Sequence, residues 1–304
     1  MKKNINLAYA IIIVALLGFV PFNKTSAATV YLESSRNTIS VGDTVIVNVK
    51  INAEGTTINT VDGDVAVKTG GNSVMVQEFS LANSAFGLWP RTPSLSKDGQ
   101  VVSFVGGVPG GFNIEGASLF KVILQAKKEG TVTINPQNIV AFANDGKGTK
   151  LPVKTEGLSL TVKPKASGTV AEDEWAALVA KDITQPEDFI IVSGQDPSMF
   201  EGKKFAYFSA VDNQTGVAYY EVSENGAPVV RSGSVYVYQD QSGKAKLSVT
   251  AYDKAGNKKV EIGSANEGGG ISWFTIIISL VVILVLRVVY MKLKKNKKNV
   301  SNSL

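Results

Sequence analysis

Val41-Gly42-Asp43-Thr44-Val45-Ile46-Val47-Asn48-Val49-Lys50-Ile51 runs from a turn into a strand. Gly42 and Asp43 are turn formers, one through its freedom of φ and the other through its side-chain acceptor. Val45, Val47, Val49 and Ile51 then alternate with Thr44, Ile46, Asn48 and Lys50. Successive strand side chains point to opposite faces, so this pattern predicts a half-buried strand. The same period recurs downstream. Phe120, Val122, Leu124 and Ala126 make one face of a strand whose other face is Leu119, Lys121, Ile123 and Gln125, and Leu158, Leu160 and Val162 mark another. Turn residues at Asp98-Gly99, Lys128-Glu129-Gly130 and Asp145-Gly146 punctuate the runs. Many short strands with regular turns predict an all-β sandwich or barrel over 28–163.

Beyond Lys163-Pro164 the alternation stops. Residues 164–182 read as a linker, in which Glu172-Asp173-Glu174 before Trp175-Ala176-Ala177-Leu178-Val179-Ala180 can start a short helix. Alternation resumes in 183–262: Phe205, Tyr207, Ser209 and Val211 against Lys204, Ala206, Phe208 and Ala210, then strands at 217–222, 235–238 and 245–252. This predicts a second, smaller sandwich of immunoglobulin or fibronectin type. Gly268-Gly269-Gly270 makes 263–270 an expected flexible linker.

The two ends carry addressing signals. Lys2 and Lys3, an apolar run from Leu7 to Phe22 and the small residues Thr25-Ser26-Ala27-Ala28 read as a signal peptide over 1–27, with cleavage after Ala27 or Ala28. The alternative is an uncleaved N-terminal anchor. Ile271 to Met291 is almost continuously apolar and long enough to span a bilayer, with Trp273 and Tyr290 near its ends and Arg287 placed to snorkel. The tail, 292–304, holds Lys292, Lys294, Lys295, Lys297 and Lys298 and no acid, which predicts a cytoplasmic C-terminus and an extracellular body. No L-P-x-T-G motif precedes the span, so the helix is expected to remain as a single-pass anchor in the cell membrane.

Composition removes whole classes of chemistry. The sequence has neither cysteine nor histidine. Disulfides, the usual zinc sites, a Ser-His-Asp triad and a Cys-His pair are therefore impossible. Nine of the 31 basic residues lie in the two ends, which hold no acid, so the body carries 22 basic against 26 acidic residues. A nucleic-acid partner is not expected from that balance. No cofactor motif is present, and neither a cofactor nor a metal is expected. Asp62-Gly63-Asp64 and Asp145-Gly146-Lys147-Gly148 lack the calcium-loop spacing and are expected to be turns.

Several segments in order resemble a cohesin module: Thr38 to Val47, Ile58 to Val65, Val102-Ser103-Phe104-Val105-Gly106-Gly107, Gly116 to Val122, Gln125 to Ile134 and Ala143 to Thr149. The resemblance covers about 28–163. It implies a nine-stranded jelly-roll β-sandwich, a fold shared with carbohydrate-binding modules, and a dockerin-like secreted protein partner. Asp212-Asn213-Gln214-Thr215-Gly216-Val217 and Val249 to Asn257 resemble the strand start and final hairpin of bacterial immunoglobulin-like surface modules. There Asp253 and Asn257 can bond turn amides and Gly256 can take positive φ.

Candidate ligand contacts are few. Phe86-Gly87-Leu88-Trp89-Pro90-Arg91 reads as a proline-bounded loop in which Phe86, Trp89 and Arg91 could stack on a sugar ring or anchor a partner. The competing reading is that Trp89 caps the sandwich core. Gly106-Gly107-Val108-Pro109-Gly110-Gly111-Phe112 reads as a flexible connection. Tyr219, Tyr220, Tyr236, Tyr238 and Tyr252 divide between core and surface. No catalytic residues are expected, because a glycosidase needs two carboxylates facing across a cleft and sequence shows no such pair. The expected function is non-catalytic binding of an extracellular glycan or a secreted protein. A ligand-free surface spacer is the alternative, and a polysaccharide-processing enzyme a more distant one.

Overall fold

The computed structural model describes residues 27–69 and 72–265. Among these residues no helix is long and apolar enough to cross a membrane. Residues 1–26 of the expected leader, the span 271–291 and the tail 292–304 lie outside the described residues.

The first module is a two-sheet sandwich built from β1 (Ala28–Ser34), β2 (Thr38–Ser40), β3 (Thr44–Asn52), β4 (Ile58–Thr69), β5 (Val74–Ser80), β6 (Leu88–Leu95), β7 (Val101–Phe112), β8 (Ala117–Ala126), β9 (Gly130–Ala143), β10 (Lys150–Leu151), β11 (Val153–Glu156) and β12 (Leu158–Lys163). One sheet runs β11-β1-β3-β8-β5; the other runs β2-β12-β9-β4-β7-β6, with β10 on β9. The strands number twelve, where the resemblance implies nine. β2 and β10 are pieces of three and two residues. Gly157 breaks the last strand, so that β11 joins one sheet and β12 the other. A Cβ at Gly157 would lie 2.9 Å from the backbone Ile134 O, which favours glycine at the crossing.

Val45, Val47, Val49 and Ile51 are fully buried between the sheets, with Phe104 and Phe120. Ile46, on the opposite face of β3, is also buried, which corrects the half-buried reading. Its cover is a short helix, α1 (Glu174–Val179), whose Trp175 packs on Ile46 and Ile123. Asp173 caps α1 by accepting from Ala176 N at 2.8 Å, satisfying one of the amides a helix start leaves open. The preceding chain is tied down as well. Glu172 exchanges backbone and side-chain bonds with Thr44 and Asp43, and Arg36 pairs with Glu172 at 2.6 Å. The expected linker 164–182 thus lies in part against the outer face of the first sandwich, because Trp175 buries its apolar surface there.

Three further expectations are corrected here. Asp62-Gly63-Asp64 is no turn. It lies within β4, where the pairing with β9 slips by a bulge and a Cβ at Gly63 would lie 2.4 Å from Ile139 Cδ1. Gly106 to Phe112 is no flexible connection but part of β7; its glycines admit the Phe86 ring, 2.3 Å from where a Cβ of Gly106 would stand. Leu119, expected on the outer face of β8, is fully buried in the core cluster, because the β3–β8 register shifts between Val49 and Lys50 and leaves it without a cross-strand partner.

The second module contains β13 (Ile191–Gln195), β14 (Lys204–Phe208), β15 (Val217–Glu224), β16 (Val230–Ser232), β17 (Val235–Val237), β18 (Lys246–Asp253) and β19 (Lys258–Ser264). Its sheets run β13-β14-β17 and β16-β15-β18-β19. Ala206, Phe208, Val222, Leu247, Val249 and Ala251 fill the space between them. Of the five tyrosines, Tyr220 and Tyr238 are core. β19 extends through Gly263 and Ser264, which pair with Leu247 and Lys246, so these two residues belong to the sheet and not to the expected linker 263–270.

Candidate functional site

The two sandwiches meet in a hydrogen-bonded joint made from turns. Asp212 Oδ1 accepts the amides of Gln214, Thr215 and Gly216 at 3.2, 2.8 and 2.6 Å. That Asx-type turn presents Thr215 O to Ser80 Oγ of the first module at 2.6 Å. Gly216 has φ +85°, and a Cβ there would lie 2.9 Å from Ala82 N, so only glycine lets the turn seat on the end of β5. Thr215 Oγ1 donates to Asp182 Oδ2 at 2.6 Å, and Asn257 Nδ2 to Asp182 O at 3.1 Å. Asp253 holds the neighbouring hairpin by accepting Asn257 N at 2.8 Å. Glu78 then bridges three elements: one oxygen accepts from Trp175 Nε1 and the other pairs with Lys254 Nζ at 2.7 Å.

Asp182, Asp212 and Asp253 are all buried and bring carboxylate oxygens within 4.8 Å of one another. Asp182 accepts the hydroxyls of Thr184 and Thr215, Asp212 Oδ1 the turn amides, and Asp253 the backbone and side-chain amides of Asn257. Burial pulls the Lys121 ammonium below the usual lysine range, while the charge of nearby Asp212 pushes it back up. Tyr220, whose hydroxyl accepts Ala210 N at 2.9 Å, is pushed up to about 12, chiefly by burial.

Beside the joint lies a cleft of about 630 Å³ between the modules. Phe86, Trp89 and Thr92 line it from the first module, and Tyr219, Arg231 and Ser234 from the second. Its volume falls in the range of small-ligand sites, which favour domain boundaries. Ser209 Oγ donates to Gly87 O at 3.1 Å, and both residues belong to its lining.

The structure brings two of the three expected contact residues to this cleft. Phe86 is buried and packs edge-on to Trp89, with ring centroids 5.3 Å apart. Trp89 is half-buried, also meets core Phe120 edge-on at 6.3 Å, and lies in edge strand β6 with Pro90 rather than in a loop. Pro90 is tolerated there because an edge strand has amides that need no ladder partner. Arg91 is not among the cleft residues. It pairs with Asp62 at 3.1 Å across the sheet surface. Sequence reasoning missed Tyr219 and Arg231 as a pair. Their only signal is a basic residue and an aromatic on strands that become neighbours.

Trp89 thus serves the core and the cleft together. Trp89→Ala is expected to cost about 2–3 kcal/mol of stability, less than the ~3–5 kcal/mol of a fully buried ring. Thermal and denaturant unfolding of the variant check this. A loss below about 0.5 kcal/mol would mean that the ring supports no part of the core.

Neither a family model nor a curated protein matches the sequence. Among solved structures, the chain is similar to a cohesin module from a Clostridium perfringens family 33 glycoside hydrolase at 12% identity, covering 46% of this chain and 100% of that one with a TM-score of 0.39. A non-cellulosomal cohesin from the archaeon Archaeoglobus fulgidus is 16% identical over 45% of this chain and 92% of that one, TM-score 0.36. The seventh ScaB type I cohesin from Pseudobacteroides cellulosolvens is 16% identical over 48% and 98%, TM-score 0.38. Likeness at this level identifies neither a family nor a ligand.

Proposed function

We propose that this chain is a non-catalytic receptor displayed on the outer side of a cell membrane, in which a cohesin-like and an immunoglobulin-like sandwich together hold an extracellular glycan or a secreted protein. The observation that carries the reading is the cleft: an aromatic-lined space between two modules that buried polar contacts fix against each other. The ordered cohesin-like segments support the identity of the first module. The three-strand and four-strand sheets support an immunoglobulin or fibronectin type for the second. A spacer has no need of such a cleft. Among the described residues lining the cleft Asp212 is the one carboxylate, whereas an acid–base hydrolase uses a facing pair.

Display rests on the two ends of the sequence. Protease added to intact cells is expected to digest the β modules and leave a small lysine-rich membrane fragment. An epitope placed after Leu304 that antibody reaches from outside would overturn the orientation. The binding reading itself is tested by presenting the full chain, in detergent, to a glycan array and to secreted proteins.

A further inference from the structure

Arg231 stands out among the charged residues of the cleft. Its guanidinium carbon lies 3.6 Å from the centre of the Tyr219 ring, and Tyr219 in turn stacks on Tyr252 at 4.8 Å and 16°. A guanidinium over a ring face still offers N–H donors to a planar acceptor. Among the described residues no ion pair engages it. Glu221, its cross-strand neighbour, accepts the Tyr252 hydroxyl at 3.1 Å. Lys254, the other cation of the cleft, is taken by Glu78. The one carboxylate lining the cleft, Asp212, is buried and turned onto three amides. The cleft therefore offers a single uncommitted positive charge.

We infer that the cleft takes a sugar carrying a carboxylate, a uronate residue of an acidic oligosaccharide, with Arg231 as the carboxylate-binding residue. The inference deepens the receptor reading and rests on it. One guanidinium matches one carboxylate in charge and in fork geometry. A phosphate or sulfate-rich ligand, carrying more charge, would call for further free cations. Half-buried Trp89 supplies an aromatic surface for the ring. The hydroxyls of Thr92 and Ser234 line the same space and make no hydrogen bond within the described residues, leaving them for sugar hydroxyls.

The test is binding of the full chain to oligomers of galacturonate, glucuronate and mannuronate, each beside its methyl ester, which keeps the ring and removes the charge. At least one acid form is expected to bind tenfold or more tightly than its ester, with affinity falling as salt rises. Arg231→Gln is expected to abolish that preference and Arg231→Lys to retain part of it, with both variants still folded and the melting temperature lowered by only a few degrees, since Arg231 is exposed and loses at most its contact with Tyr219. Equal binding of acid and ester, or a preference that survives Arg231→Gln, overturns the inference and leaves the receptor reading standing. Binding of a secreted protein with silence on every glycan has the same consequence. Silence towards glycans and proteins alike overturns both.

Discussion

Asp212→Ala is expected to remove about 4 kcal/mol from the stability of the second module, because one buried carboxylate oxygen serves three amides and a hydrogen bond to a charged group contributes roughly 1.5–3 kcal/mol. The three bonds share one acceptor, so the loss falls short of their sum. Alanine leaves the amides of Gln214, Thr215 and Gly216 without their acceptor in the joint. For a domain of this size the melting temperature is expected to drop by roughly 15 °C or more. Asp212→Asn keeps a carbonyl acceptor at the same place and is expected to recover part of the loss. Calorimetry on the three proteins decides the matter. A shift of only a degree or two for the alanine variant would show that the amides find other partners and that the turn does not depend on Asp212.

Gly216→Val has a different expected signature: both sandwiches stay folded, but they come apart. A positive φ costs an L-residue about 1–2 kcal/mol. The added Cβ also meets backbone, with Ala82 N at 2.9 Å and Leu81 N at 3.1 Å, neither of which can move like a flexible side-chain end. Overpacking of this kind adds about 1–3 kcal/mol. The joint is the softest place for that strain to go, since Ser80–Thr215, Ser209–Gly87 and Lys254–Glu78 are exposed to it while the cores are not. Scattering is expected to show a larger radius of gyration, and calorimetry two separated transitions. An unchanged scattering profile with a single transition would contradict the joint as described.

These two residues also show what sequence can and cannot disclose. Asp212 to Gly216 were legible as a strand entry, and Asp253, Gly256 and Asn257 as a turn, where Gly256 does take φ +92° and Asp253 does bond Asn257. Their second role, as the surface that seats on β5, was not legible: Ser80 and Thr215 are 135 residues apart, and each is an ordinary turn or strand-end residue in its own segment. The alternation of Val45 to Ile51 and Phe120 to Ala126 disclosed the sandwich, because burial of one face imposes period two on any strand. Leu119 escaped that rule because a bulge adds a residue without marking the sequence. Gly106-Gly107 read as a loop because glycine is the commonest loop signal. Here it makes room for Phe86, a need created only when β6 folds over β7. Trp89 packs on core Phe120 and also lines the cleft, so its place in the fold joins the two readings without deciding whether it meets a ligand. The pairing of Arg91 with Asp62 was not legible, because that neighbour in space lies 29 residues away on another strand.

Residues 164–182, read as a linker, take part in holding the two sandwiches together. Trp175 seals the outer face of the first sandwich, and the same Glu78 that receives it pairs with Lys254 of the second. Rigid placement matters for recognition, since a preorganised cleft loses less entropy when a ligand fills it.

The account turns on that cleft being the binding site, and filling it is the most direct test. Thr92 is exposed and lines the cleft, so Thr92→Trp places an indole in the space while leaving both cores untouched. The full chain and this variant would be compared on the same glycan array and against the same secreted proteins, with melting temperatures recorded alongside. The account predicts at least one discrete ligand for the unaltered chain, its loss in Thr92→Trp and equal melting of the two. A ligand bound equally well by both proteins, or no ligand for either, would contradict it.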